Sequence, residues 1–502
     1  MVDAVIPPGE SSGAAKGWTP RLVVSLVSMV LLLELLTVSY IMLSMALPAI
    51  AAHYRTMQGA WLLTSFLLVG AVTGPVLGKL ADMYGKRKVL LACVAISVVG
   101  SLVSAVAPSY GVLIVGRSLS GVLTPCVFLC YSLIRDIFPR KTIALAVSLC
   151  TSGMGLIAIA APFLGGWFID NYGFRSLFWF FTIALAIFGV MIFASTDESA
   201  VRLRSRIDLL GAVLLGGGIA GVLVAISFGP SWGWTNGSTL VYLVGGIALM
   251  LGWLVSAGIV SAPLVDLDVL RRRPVWLTAV GSGLCYGCSA LITILLPMMA
   301  MTPAALGLGY GFGLSAKGFA IVQAPIGGMV MVGGVIVGVL VGRKVRPRLL
   351  MIIGMAMFSA AFVLISAMHD NKAALLVFAG LAGLGMGLAY AAVPNLLIEA
   401  VPPQLQASTA SIVSVAQNIV SAILPVVAFS MLNNSYIAPF PPALTHGAIL
   451  YTDKGFRIAF LIGAVAAGVG AIMSLMLPRR IEQLHMPPAQ VVGDEKAAVV
   501  GH

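Results

Sequence analysis

Charge is what this chain has least of. Asp, Glu, Lys and Arg make up 9% of its 502 residues, against about 25% in soluble globular domains, which excludes a water-exposed surface of ordinary polarity. Histidine is equally sparse: His53, His369, His446, His485 and His502 are expected in loops or tails, forming no cluster. The six cysteines all fall in apolar stretches, and Cys285 and Cys288 have no second pair with which to complete a zinc site. No Gly-rich loop that would cradle a phosphate is present, so ATP is not the expected energy source, and no cofactor or metal is expected. An intramembrane enzyme needs a convergent acid, base or metal set, and none is found. A membrane sensor should show a soluble output domain, which the short tails 1–20 and 478–502 do not supply. The net charge of +12 is dispersed along the chain, unlike a surface built for nucleic acid.

What the chain has in abundance is apolar sequence. It is 60% hydrophobic with a mean hydropathy of +1.06, and 56 Gly and 26 Pro are spread through apolar segments. Neighbouring helices re-satisfy backbone groups freed by such breakers, so the composition reads as a polytopic helical membrane protein. Apolar runs of about 20 residues give about fourteen spans, near 22–46, 59–79, 89–107, 111–134, 142–168, 175–195, 209–229, 239–261, 275–300, 316–341, 350–368, 374–397, 406–432 and 457–477. The first is too long for a signal-peptide core and is expected to be retained. With the N-terminus inside, 22 of the 29 basic residues fall on the inner loops and tails, six fall outside, and Arg117 lies within a span. Both termini are therefore expected in the cytoplasm, in an inner (cell) membrane.

Between the second and third spans runs GKLADMYGKRKVLL, Gly78 to Leu91. Gly78 lets a neighbouring helix approach, and Gly85 permits a tight reversal. Asp82 suits the positive N-terminus of an adjacent helix, while Lys86, Arg87 and Lys88 are expected in the cytoplasmic headgroup region. The positive-inside rule alone explains the charges, but not the placement of Gly and Asp; a cytoplasmic gate explains both.

An internal repeat supports two like halves. At an offset of 263, LIRDIFP (133–139) overlies LLIEAVP (396–402), pairing Asp136 with Glu399, Pro139 with Pro402 and Pro162 with Pro425. At 260, Gly78 pairs with Gly338 and Lys86–Lys88 with Arg346–Arg348. The expected organisation is an N-terminal tail (1–21), a six-helix bundle (22–196), linkers with two inserted helices (197–274), a second six-helix bundle (275–477) and a C-terminal tail (478–502). The fold class is thus all-α, polytopic, with two pseudo-symmetric six-helix bundles plus two inserted linker helices. In repeat-built transporters the substrate sits near midplane where the halves meet.

With these features the chain resembles the major facilitator superfamily, and specifically its fourteen-helix drug:proton antiporter branch. The Gly78–Leu91 stretch is similar to the superfamily's cytoplasmic signature, Arg117 in VGRSLSG to the fourth-helix Arg signature, and Pro162, Gly165 and Gly166 in GMGLIAIAAPFLGG to the fifth-helix antiporter signature. Arg206–Leu215 followed by Trp232-Gly233-Trp234 looks like the start of that branch's inserted pair. The resemblance implies rocker-switch export of a substrate against inward protons. It departs from the pattern at Ala161, where the signature usually has Gly, and at Ser39, nine residues before Pro48, where the family places an Asp.

Glu34 is the carboxylate found deep in a span, roughly 18 Å into the first helix if that begins at Leu22. A charge there costs about 2.5–3.5 kcal/mol on insertion scales, so Glu34 needs a partner, water or a proton. It is expected to exchange the coupling proton and, when ionised, to favour a lipophilic cation; the alternative is an acid that only fixes helix packing. Arg117 has three readings: binding an anionic substrate group, competing for Glu34 in a proton relay, which the resemblance favours, or bonding backbone carbonyls. Gly153, Gly155, Pro162, Gly165 and Gly166 fit either a bent antiporter helix or generic small-residue packing. Ser39, Tyr40, Gln323, Asn395, Gln417 and Asn418 are candidate cavity-lining residues, with Phe66, Tyr131, Tyr390 and 23 Met as apolar partners. The expected function is proton-coupled efflux of hydrophobic, cationic compounds, with an endogenous lipid, siderophore or metabolite as the alternative cargo and a sensor or enzyme as the reading from another class. The expected partners are a small hydrophobic substrate, protons and the lipid bilayer, with no nucleic acid, for a monomer that is not an enzyme.

Overall fold

A computed structural model describes residues 18–54, 61–152, 154–201, 207–260, 263–265, 267–314, 316–433, 435 and 451–478. Every regular element among them is helical. In chain order these are α1 (Pro20–Tyr54), α2 (Trp61–Tyr84), α3 (Lys86–Ala105), α4 (Tyr110–Ser120), α5 (Cys126–Ile137), α6 (Arg140–Ser152), α7 (Met154–Tyr172) and α8 (Arg175–Ser195). The inserted pair follows as α9 (Leu209–Trp232) and α10 (Gly237–Ile259), then the short α11 (Leu267–Leu270). The second half comprises α12 (Arg273–Met301), α13 (Ala316–Gly342), α14 (Pro347–Ala367), α15 (Lys372–Ala400), α16 (Gln406–Asn433) and α17 (Asp453–Leu475).

Among the described residues, thirteen stretches are long and apolar enough to cross a bilayer. The fifth expected span is covered by α6 and α7, with position 153 between them outside the described residues. The fourth has an internal break. A 3-10 turn at Gly121–Leu123 tightens the chain before Pro125, whose missing N–H removes one helical bond, and α4 and α5 together make one span over Tyr110–Ile137.

The halves pack alike. In the first, α1 lies on α7 and α8, α3 on α4 and α8, and α2 on α4; in the second, α12 lies on α16 and α17, α14 on α15 and α17, and α13 on α15. The halves meet along two mirror-related seams, α2 against α16 and α13 against α6 and α7. Without water to drive apolar association, close backbone approach supplies the packing energy. A Cβ added at Gly78 would stand 2.9 Å from the Ala407 carbonyl oxygen, and one at the repeat-related Gly338 would stand 2.9 Å from Leu145 Cα. The inserted α9 packs on α10 and, across the first seam, on both α2 and α16. A satellite core of Ala71, Leu215, Ile219, Trp253 and Val415 forms there. The outer face of α10 is apolar and exposed at Val241, Val255 and Ile259, as a bilayer-facing surface requires.

Candidate functional site

The basic end of the bundle is closed by a buried polar cluster. α2 ends at Tyr84, Gly85 reverses the chain at φ 123°, a conformation side chains rarely adopt, and α3 starts at Lys86. This turn aims Asp82 across the seam. Its carboxylate accepts the Ser408 amide at 2.9 Å and the Ala407 amide at 3.4 Å, in the first turn of α16. Such a contact satisfies N–H groups that have no partner within the helix and sets a negative charge against the helix's positive end.

Lys86 does not reach the headgroup region. It is fully buried, with Nζ 2.6 Å from Asp136 Oδ2, 2.9 Å from the Pro403 carbonyl oxygen and 3.9 Å from Asp82 Oδ1. One ammonium faces two carboxylates, and the α16 N-terminus contributes the equivalent of about half a positive charge toward the balance. Ser199 donates to Asp136 at 2.5 Å, and Arg135 donates to the Gln406 side chain across the same seam. Of the three basic residues, Arg87 folds back over the Phe193 ring, its guanidinium 5.0 Å from the centroid, and Lys88 alone is exposed. Their backbone amides both bond Glu198, at 3.0 Å each, so Glu198 caps α3.

Deeper in the first half lie two buried charged side chains that do not meet. Glu34 on α1 is 3% exposed, and neither carboxyl oxygen has a hydrogen-bond partner. Arg117 on α4 donates from Nη1 to Ser39 Oγ at 2.7 Å and holds its guanidinium 3.9 Å from the Phe66 ring centroid, while Nε and Nη2 are buried without partners. The relay reading expected Arg117 to compete for Glu34, and in this conformation it engages neither Glu34 nor a backbone carbonyl. Ser39 occupies the place where the family pattern has Asp, and the guanidinium takes the hydroxyl and the ring face instead.

Between the halves α5, α6, α12, α15 and α16 border a small, partly open pocket of about 30 Å³. Phe128, Tyr131 and Thr151 line it from the first half, and Tyr286, Tyr390, Pro394, Leu397, Val413 and Gln417 from the second. The Tyr286 and Tyr390 rings stack at 4.3 Å. Of the six polar residues named from sequence as cavity-lining, Gln417 borders this pocket. Ser39 is held by Arg117, the Asn395 amide turns back to the Ala391 carbonyl at 2.7 Å, Tyr40 is 40% exposed, and Gln323 and Asn418 are half-buried elsewhere on α13 and α16. Tyr131 and Tyr390 carried a sequence signal as aromatics on spanning helices; Phe128, Thr151 and Tyr286 carried none.

On the antiporter-like helix, Gly165 packs against Met42 of α1, where an added Cβ would stand 3.0 Å from Met42 Cγ, and Gly166 has open space. Gly155 and Pro162 fall within α7, but their surroundings, like Gly153 itself, lie outside the described residues. At the opposite end of the bundle His369 lies in the connection between α14 and α15, as the sequence implied, but its environment was not foreseen. It is buried, 2.5 Å from Asp453 Oδ1 and 3.0 Å from the Ile365 carbonyl oxygen, and Arg457 pairs with Asp453 Oδ2 at 2.7 Å. No cluster of His, Cys, Asp and Glu able to hold a metal occurs among the described residues.

The chain matches the Major Facilitator Superfamily over residues 28–425 and again over 325–496. It is similar to the uncharacterised MFS-type transporter Rv1877 of Mycobacterium tuberculosis, 29% identical over 348 residues, which are 68% of this chain and 49% of that protein. The chain thus spans about half the length of that relative. Multidrug resistance protein Stp of the same organism is 28% identical over 394 residues, 76% of this chain and 71% of its own. Among solved structures, the human organic anion transporter MFSD10 (TETRAN) superimposes with a TM-score of 0.62 at 15% identity, covering 91% of this chain and 100% of that one, a likeness of fold. Two helical bundles joined along mirror-related seams, and a family match running through nearly all of both, establish that this chain belongs to the Major Facilitator Superfamily.

Proposed function

We propose that the protein is a proton-coupled exporter of hydrophobic, cationic compounds, of the fourteen-helix drug:proton antiporter type, working by alternating access. The observation that carries this reading is Glu34, a carboxyl buried in a spanning helix with neither oxygen hydrogen-bonded. An ionised group so placed is costly, and taking up a proton removes the cost. The multidrug name of the relative Stp supports the cargo class. The basic end is assigned to the cytoplasm by its Lys and Arg excess. The cluster of Asp82, Lys86, Asp136 and the α16 N-terminus is then a cytoplasmic gate, closed here, whose parting along the α2–α16 seam admits substrate. An inward proton falling through 100 mV carries about 2.3 kcal/mol beyond the pH gradient.

The test is proton movement in liposomes containing the purified protein when ethidium is added, with Glu34→Gln beside the wild type. A substrate-dependent proton signal lost in the variant is the expected result. An unchanged signal would move the proton site elsewhere, and no signal with any cation would favour an endogenous cargo.

A further inference from the structure

The pocket between the halves has no formal charge on its walls. Among the described residues no Asp, Glu, Lys, Arg or His lines it, and Glu34 is not part of its lining. A lipophilic cation seated there meets no counter-ion. It meets four aromatic rings, Phe128 and Tyr131 from one half and Tyr286 and Tyr390 from the other. The face of such a ring is negative and attracts a cation most strongly where water is excluded. The same protein already holds a buried cation this way, with the Arg117 guanidinium 3.9 Å from the Phe66 centroid.

We propose that substrate charge and coupling proton are handled at two separate places. Ring faces of the pocket bind an organic cation with delocalised or alkyl-shielded charge, and Glu34 carries the proton without touching the substrate. This rests on the transport reading above and revises one part of it, the expectation that ionised Glu34 itself draws in the cation. Glu34 is on α1, which packs against α6, the helix that supplies Thr151 to the pocket wall. A proton on α1 then communicates with the pocket through that helix contact, not by pairing with the cargo.

Uncharged polar groups complete the site. The Thr151 hydroxyl is committed to the Val147 carbonyl at 2.6 Å. The Gln417 amide is left to meet a polar atom of the cargo. A site read by ring faces accepts neutral aromatic compounds weakly and repels anions, whereas a site read by a carboxylate would reject the neutral compound.

Equilibrium binding of radiolabelled tetraphenylphosphonium to the purified full-length protein tests this. Glu34→Gln should bind within about threefold of wild type, while Tyr286→Leu and Tyr390→Leu should weaken binding by about tenfold or more. Tyr286→Phe and Tyr390→Phe, which keep the ring, should bind like wild type and show that the Leu losses are not misfolding. A tenfold loss in Glu34→Gln, wild-type affinity in both Leu variants, or no saturable binding to the wild type each overturns the proposal. The liposome proton signal reports separately on the transport reading, so either can fail while the other stands.

Discussion

The Asp82 carboxylate on α2 accepts the Ser408 amide of α16 at 2.9 Å, a bond between residues 326 positions apart that ties one half of the molecule to the other. It spans the seam that the proposed alternating access would open. Asp82→Asn keeps the shape and one acceptor oxygen while deleting the charge that faces both the helix end and Lys86. A cap of this kind contributes about 0.5–2 kcal/mol, so amide hydrogen exchange over residues 403–410 should quicken several-fold while the remote α17 stays unchanged. Equal protection in the variant would show that the contact does not hold the α2–α16 seam together.

Two glycines one turn apart on α2 give an internal comparison. An added Cβ at Gly78 would meet the Ala407 carbonyl oxygen at 2.9 Å, an atom of backbone that cannot rotate away, whereas at Gly74 the nearest atom is Phe128 Cε1 at 3.8 Å. Gly78→Ala should therefore cost about 1–3 kcal/mol of the closed arrangement, seen as a lower thermal midpoint and slower transport, and Gly74→Ala should be close to neutral. Gly338→Ala, which meets Leu145 Cα at 2.9 Å across the mirror seam, should behave like Gly78→Ala.

Lys86 and Asp136 are buried at 0% and 2% side-chain exposure with 2.6 Å between them. Removing one partner strands the other's charge, which typically costs about 3–5 kcal/mol, whereas replacing both with apolar groups is often neutral. Lys86→Met alone should sharply lower the thermal midpoint in detergent, and adding Asp136→Leu should recover much of the loss. If the double variant is as unstable as the sum of the singles, the pair is not coupled.

How far the sequence reached is clearest at this cluster. The Gly78, Asp82 and Gly85 spacing announced a close helix approach, a charge for a helix end and a turn, because each of those requirements is local. The burial of Lys86 was not legible: the positive-inside rule assigns a side of the membrane and not a depth, and the partners that make burial tolerable lie 50 and 317 residues away. Apolar run length gave about fourteen spans, of which thirteen reappear among the described residues as helices able to cross a bilayer. The ring-lined pocket was not legible, since nothing in the sequence joins Tyr286 to Tyr390 until α12 and α15 set their rings 4.3 Å apart. Repeat matching anticipated Gly338 opposite Gly78, and the structure adds the asymmetry it hid. At the 260-residue offset Asp82 corresponds to Gly342, so only one seam has an acidic residue at this place.

Arg117 presents the last unbalanced account of charge. Its Nη1 has the Ser39 hydroxyl at 2.7 Å and its face has Phe66, yet Nε and Nη2, which share one edge of the guanidinium, are buried without partners. A hydroxyl offers no countercharge. Ser39→Asp should make the existing bond charge-assisted, gaining about 1–2 kcal/mol over a neutral acceptor, and raise the thermal midpoint. Ser39→Ala should lower it by about 1–3 kcal/mol, because a third donor of a buried cation is then orphaned. Phe66→Leu should lower it further by removing the ring face that holds the charge. Transport measured in the same variants then separates two roles: if Ser39→Asp stabilises the protein but stops turnover, the uncompensated Arg117 is needed mobile in the cycle. Equal stability of Ser39→Ala and wild type would mean that the hydroxyl contact contributes nothing to holding the guanidinium.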